Sequence, residues 1–378
     1  MFCFDLANCL EFDRATAAKS VRAFTFGDNG SIHFSAPPEI IAILSVYCVF
    51  AVVFLVLKVV SYYSTAAAIG HRGPISMLIV SLSLAFSYCI AQVASIVLGN
   101  LTNFDPVPAA IITLDAIAGL FNWWCNIVLF AAVFLLFRDR EIALQSVAEP
   151  RNRVASVVQT VIHAILLILM FSLSTAAVAL SAELQTDVSN GNVTVFDFDN
   201  RESQIENIAY AADAFFILTC IDICVSAFLL HRRVRRVGAT NQITKVLLYV
   251  ASPFVALSAL STFVFTIVLS PSVLNNSNTS LQSALRAELM GDIFGNLFFT
   301  AIVITLLILP FKRQNWDIQG GVAYSQPPSW NDPKPSVTPA PAYENNYAPT
   351  YDNSFTPQPQ YTDYQPPIVT QVAHPYSV

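Results

Sequence analysis

The run PAAIITLDAIAGLFNWWCNIVLFAAVFLLF, residues 108–137, decides the architecture. It is apolar almost throughout, and it is long enough to cross the roughly 30 Å of bilayer hydrocarbon as a helix. Yet it carries Asp115, Asn122 and Asn126. A carboxylate at the centre of a membrane helix costs about 2.5–3.5 kcal/mol on insertion scales. Asp115 therefore requires a compensating environment inside a bundle.

Composition extends that reading to the whole chain. Of 378 residues, 55% are hydrophobic and 12% charged, with a mean hydropathy of +0.57. Soluble domains carry about twice that charged fraction, near 25%, so the deficit marks an integral membrane protein. Seven stretches qualify as spanning helices: 40–60, 75–98, 108–137, 154–181, 208–230, 246–270 and 289–311. The sixth contains Pro253, which predicts a kink. The expected fold is all-α: a seven-helix transmembrane bundle over residues 40–313. An extracellular segment, 1–39, precedes it, and a disordered cytoplasmic tail, 314–378, follows. The first 36 residues hold Asp5, Glu11, Asp13 and Asp28 and no apolar core of a signal peptide, so the first span is expected to serve as the targeting signal.

Two signals orient the bundle. With the N-terminus outside, inner segments hold 14 Lys and Arg against 5 in outer segments, the bias that positive-inside insertion produces. The N-x-S/T acceptors Asn29, Asn100, Asn192, Asn275 and Asn278 then all fall outside, as glycosylation requires. Asn100 lies close to the membrane, leaving Asn29, Asn192, Asn275 and Asn278 as the candidates. Acceptors imply the secretory pathway, with the plasma membrane as the expected destination. The seven Cys lie mostly in apolar runs and read as small core residues, with Cys3 and Cys9 free to pair if outside. The long outer loop 182–207 contains SNGNVTVFDFD, whose Asn-Gly turn signal and partial alternation suggest a β-hairpin lid.

Polar residues in the spans fall on faces. Asp115, Gly119, Asn122 and Asn126 share one face of the third helix; Ser81, Tyr88, Gln92 and Ser95 form a stripe on the second. Glu288, Asp292, Asn296 and Thr300 step by four along the seventh, beside Gly291 and Gly295, a G-x-x-x-G step that allows close helix approach. Asp115 lies about 10 Å below the outer start of its helix, and Asp213, Glu288 and Asp292 lie near the outer ends of theirs. The result is an acidic outer half suited to a cation or proton. Asp222, deeper and half a turn out of phase with Asp213, shares a face with Thr219 and Ser226; His163, near Gln159 and Thr160, is its candidate partner. The alternative for these stripes is interhelical hydrogen bonding without a ligand, and Trp123 and Trp124 read as packing residues. The ligand or ion candidates are thus Asp115, Asn122, Asn126, Gln92, Asp292, Asn296 and Asp222.

Several classes are excluded by what the sequence lacks. The last span has no Lys for a retinal Schiff base. There is no His cluster for an intramembrane zinc site, no HExxH, no phosphate loop and no dinucleotide fingerprint. No catalytic signature, metal site, cofactor or nucleic-acid partner is implied. The basic run HRRVRRVGATNQITK, 231–245, reads as a topological anchor attracted to anionic lipid, with a partner protein as the alternative. The tail holds 12 of the 21 Pro and 7 of the 13 Tyr, with Pro-x-Tyr at 341–343, 349–351 and 359–361, a partial match to ligands of WW- or SH3-type adaptors.

Seven spans, outer acceptors, a basic third inner loop and a Pro-rich tail together resemble the G-protein-coupled receptor superfamily. The third helix ends FRDRE, and Asp139-Arg140-Glu141 is similar to the Asp-Arg-Tyr switch of rhodopsin-like receptors. The resemblance implies that Arg140 engages a G protein and that Asp115 corresponds to an amine-binding aspartate. The chain lacks Asn-Pro-x-x-Tyr in the last helix, Cys-Trp-x-Pro in the sixth and the usual outer-loop Cys, so it looks more like the divergent seven-span receptor-like proteins of fungi than a rhodopsin-class receptor. The expected function is a receptor-like sensor whose acidic outer cavity takes a cationic or small polar ligand and signals through basic inner loops. The alternatives are a secondary or proton-coupled transporter using Asp115, Asp222 and Asp292, and a membrane scaffold presenting its Pro-x-Tyr tail.

Overall fold

The computed structural model describes residues 24–26, 32–34, 38–67, 72–101, 109–145, 153–236, 238–268, 281–309 and 319–320. Seven long helices carry the fold: α1 (Pro38–Ala67), α2 (Arg72–Leu101), α3 (Ala109–Gln145), α4 (Arg153–Ser189), α5 (Val195–Arg236), α6 (Gln242–Val268) and α7 (Leu281–Ile308). Each is long and apolar enough to cross a membrane. Two short strand pairs complete the described backbone: β1 (Phe24–Phe26) with β2 (Ile32–Phe34), and β3 (Ala239–Thr240) with β4 (Gln319–Gly320). The chain divides into units Met1–Ser325 and Gln326–Val378. The second, which holds most of the expected tail and its Pro-x-Tyr repeats, lies outside the described residues, as do Cys3 and Cys9.

The helices pack in sequence order and close into a ring through α7 against α1, with α3 also touching α5. The residues explain which faces turn inward. Phe54, Leu82, Leu129, Phe130 and Met170 are fully buried. Val154, Val157, Val158, Val161, Ile165 and Ile168 instead form an exposed apolar stripe along α4. Such a stripe would be a liability in water and is the ordinary surface of a helix in lipid, where only backbone polar groups must be satisfied internally. Inside, small polar groups link helices: Ser81 Oγ donates to the carbonyl of Cys125 at 2.7 Å, joining α2 to α3.

The expected kink at Pro253 takes the form of a π-helical turn, Leu247–Ala251, directly before it. Proline removes one backbone donor and crowds the preceding turn; widening that turn accommodates both. Ser252 reinforces it, since its N–H and its Oγ both reach the carbonyl of Leu247. Cys224 Sγ donates to Ser252 O at 3.5 Å, fastening the turn to α5.

The expected hairpin lid at 182–207 is replaced by two helix ends. At about 1.5 Å per residue, α4 and α5 both exceed 50 Å and extend well past the hydrocarbon. They meet at a tight turn where Gly191 takes φ +72. The Asn-Gly signal marked the turn correctly, but Thr194-x-x-Asp197 is an N-terminal capping box that starts a helix. Thr194 Oγ1 accepts from the Asp197 N–H at 3.3 Å and donates to Asp197 Oδ2 at 2.6 Å. Leu184 and Ile205 bury against Val188, Val193 and Phe198, and Arg201 bridges to Asp187 at 2.8 Å. Thr194→Val is expected to remove about 1 kcal/mol of local helix stability. Amide hydrogen exchange at residues 195–198 would accelerate roughly fivefold, with the rest of the bundle unchanged.

Candidate functional site: an acid-lined cavity in the bundle

A cavity of about 140 Å³ opens among α2, α3, α5, α6 and α7. It lies in the half of the bundle where α5 and α7 begin and α6 ends. Two carboxylates from different helices line it, Asp213 of α5 and Asp292 of α7. The rest of the wall alternates aromatic rings (Tyr88, Trp123, Tyr210, Phe299) with the amides of Asn122, Asn126 and Asn296.

Asp292 is 5% exposed and held by a chain of hydroxyls. Tyr47 Oη of α1 donates to Asp292 Oδ2 at 2.6 Å, and Tyr88 Oη of α2 donates to Tyr47 Oη at 3.2 Å. The two rings meet edge to face at 5.6 Å. Three helices are thereby locked to one carboxylate. Asp213 accepts from Thr266 Oγ1 of α6 at 2.8 Å. A carboxylate offers about four lone-pair directions, so Asp213 keeps acceptor capacity for a ligand.

The amides are braced along their own helices. Asn126 Nδ2 donates to Asn122 O at 2.9 Å, and Asn296 Nδ2 donates to Asp292 O at 2.9 Å. Trp123 and Trp124 part company. Trp124 packs outward, stacked on Phe171 at 5.3 Å with its Nε1 donating to Thr175 Oγ1. Trp123 lines the cavity and leans edge-on against Phe216. Gly295 corrects the close-approach reading of the G-x-x-x-G step: a Cβ there would meet nothing within 4 Å. Gly291 and Gly295 both line the cavity.

Three of the ligand candidates lie elsewhere. Ser95 Oγ of α2 donates to Asp115 Oδ1, and Asp115 is not among the lining residues. Its compensating environment is the α2–α3 seam. Gln92 is partly buried on α2, also outside the lining. Asp222 faces His163 of α4, with Oδ2 and Nε2 3.0 Å apart. The pair has the distance of an ion pair without the direction of a hydrogen bond. His163 stacks on Phe134 at 3.9 Å, and Gln159 Nε2 donates to Ser226 Oγ one turn away.

At the opposite end of α3, Arg140 is 2% exposed, so its guanidinium is inside the bundle and not at the surface. Its neighbour Glu141 accepts from Arg233 Nη1 of α5 at 3.2 Å. Of the glycosylation candidates, Asn192 is exposed in the α4–α5 turn; Asn29, Asn275 and Asn278 lie outside the described residues. Among the described residues, no cluster of His, Cys, Asp and Glu is arranged to hold a metal ion.

Bundle and cavity together define a polytopic membrane protein of seven helices. Compared with models of protein families, with curated proteins and with solved structures, the chain matches none.

Proposed function

We propose that the protein is a receptor-like sensor that binds a small organic cation in the Asp213–Asp292 cavity. One observation carries the reading: carboxylates from two helices share a single aromatic-walled cavity. A cation there gains Coulomb attraction at low local dielectric and cation–π contact with the rings. The cavity, about 140 Å³, has room for a small ammonium ion. Binding would draw α5 and α7 together across the cavity. The strain would pass along α5 to the Glu141–Arg233 contact and the basic inner loops, where a cytoplasmic partner such as a G protein would read it.

Gly295→Leu tests the site. The substitution fills the cavity from a position with no opposing atoms and improves helix propensity by up to about 1 kcal/mol. Folding is expected to be unimpaired, while binding of tetramethylammonium and short alkylammonium ions falls at least tenfold by calorimetry. Unchanged binding would remove the cavity from the account.

The proposed orientation puts the N-terminus and the cavity half outside, at the plasma membrane. It rests on the charge bias and the acceptors. Asn192→Gln is expected to remove one glycosidase-sensitive mass step when the chain is expressed in eukaryotic cells. Loss of no step would place the α4–α5 turn inside.

The His163–Asp222 pair supports a second reading, a proton-coupled carrier, because titratable pairs within spans mark proton pathways. Under that reading Asp222→Asn abolishes proton-driven uptake and leaves cation binding in place. Under the first, it leaves signalling intact.

A further inference from the structure

A second cavity, about 290 Å³, lies at the other end of the bundle where α5 gives way to α6. His231 and Arg235 of α5 line it with Lys245 and Tyr249 of α6. Gly238 makes the arrangement possible. It takes φ +67, and its N–H donates to Arg235 O at 3.0 Å, reversing the chain so that α6 folds back beside α5. A left-handed backbone of this kind is strained for any residue with a Cβ. Asn241 then caps α6, its Oδ1 accepting from the Thr244 N–H at 3.0 Å.

The chemistry of the lining is one-sided. Two cations and an imidazole converge, and among the described residues no carboxylate lines the pocket. Glu141, the acid that pairs with this basic run, is joined to Arg233. His231 supplies the independent observation. It is 7% exposed, its ring is held edge-on to Tyr249 at 5.5 Å, and its buried Nδ1 has no hydrogen-bond partner among the described residues. A buried polar atom without a partner is costly and is rare in folded proteins. A turn of the ring would bring this nitrogen to a ligand oxygen in the pocket, which would satisfy it.

We propose that this pocket is a phosphate-binding site, taking a phosphate monoester from a membrane lipid headgroup or as free inorganic phosphate. Arginine offers a planar fork to two phosphate oxygens and lysine a point charge to a third. With its proton on Nδ1 and its ring turned to the pocket, His231 adds a third donor. The position favours such a ligand, because the pocket sits where two spans end. The positive-inside bias assigns that end to the leaflet rich in anionic lipid. The site is independent of the cation cavity.

The test uses the full chain in nanodiscs and follows its thermal midpoint. Four conditions are compared: phosphatidylcholine alone, phosphatidylcholine with inorganic phosphate, discs containing phosphatidylinositol 4-phosphate, and phosphatidylserine discs matched for charge. A rise with the phosphoinositide alone identifies a headgroup site. A rise with both phosphate sources identifies a site for the phosphate group itself, and a rise with inorganic phosphate alone a free-anion site. Each supports the proposal. No rise with either source, or an equal rise with phosphatidylserine, overturns it, since charge alone would then suffice. Arg235 and Lys245 are exposed, so Arg235→Gln with Lys245→Gln is expected to fold normally and lose the response. His231→Phe keeps the contact with Tyr249 and removes Nδ1. Its apparent affinity is expected to fall about tenfold, the scale of one lost charged hydrogen bond. Should His231→Phe fail to fold, native mass spectrometry of lipid retained by the Arg235/Lys245 variant decides the question. Undiminished retention of the phosphoinositide contradicts the site.

Discussion

Replacing His163 by Leu is expected to destabilise the folded bundle by about 3 kcal/mol, the range for orphaning one member of a buried or intramembrane ion pair. Asp222 Oδ2 sits 3.0 Å from His163 Nε2, and the two side chains are only 24% and 11% exposed. Without the imidazole, Asp222 loses the partner that faces it, and the ring stacked on Phe134 is lost as well. The double variant His163→Leu with Asp222→Leu removes both polar partners and is expected to return to within about 1 kcal/mol of the parent. Denaturant titration in bicelles measures both. If the single and double variants are equally stable, the pair contributes no attraction and α4 is held to α5 by its other contacts, such as the Gln159–Ser226 hydrogen bond.

Asp292→Asn has the other large expected effect, on binding rather than on folding. Asparagine keeps the shape of the side chain and still presents an oxygen to Tyr47 Oη, so the Tyr88–Tyr47–residue 292 link between α2, α1 and α7 is retained. Only the charge is removed. In a partly desolvated site that charge is worth about 2–2.7 kcal/mol to a bound cation, or roughly 30- to 100-fold in Kd. Asp213→Asn is expected to give a smaller loss, because Asp213 lies at the α5–α6 edge of the cavity, where Thr266 braces it.

The architecture is legible in the sequence because bilayer thickness imposes one length on every apolar run, and seven runs meet it. Pairing at depth was partly legible too. Asp222 and His163 are ionisable groups within spans on adjacent helices, and few other partners existed for either. Choosing between Asp115 and Asp292 was not possible from spacing. A step of four residues defines a face, but not the rotation that turns the face toward a cavity or a seam. Ser95 captured one carboxylate and the cavity received the other. Tyr47 was missed, although a tyrosine hydroxyl within a span must find a partner. In SNGNVTVFDFD two local signals competed, and the Thr-x-x-Asp cap prevailed over strand alternation because α4 offered Leu184 and Val188 for a helix to pack against. The basic pocket could not be read from charge density alone, since it depends on the reversal at Gly238.

The account stands most directly on cation occupancy of the Asp213–Asp292 cavity. The decisive measurement is equilibrium binding of tetramethylammonium and a series of short alkylammonium ions to the full chain in nanodiscs, alongside Asp292→Asn. The account predicts saturable binding at one site, weakened roughly 30- to 100-fold by Asp292→Asn. Absence of saturable binding for every cation in the series, or binding indifferent to Asp292→Asn, would contradict it.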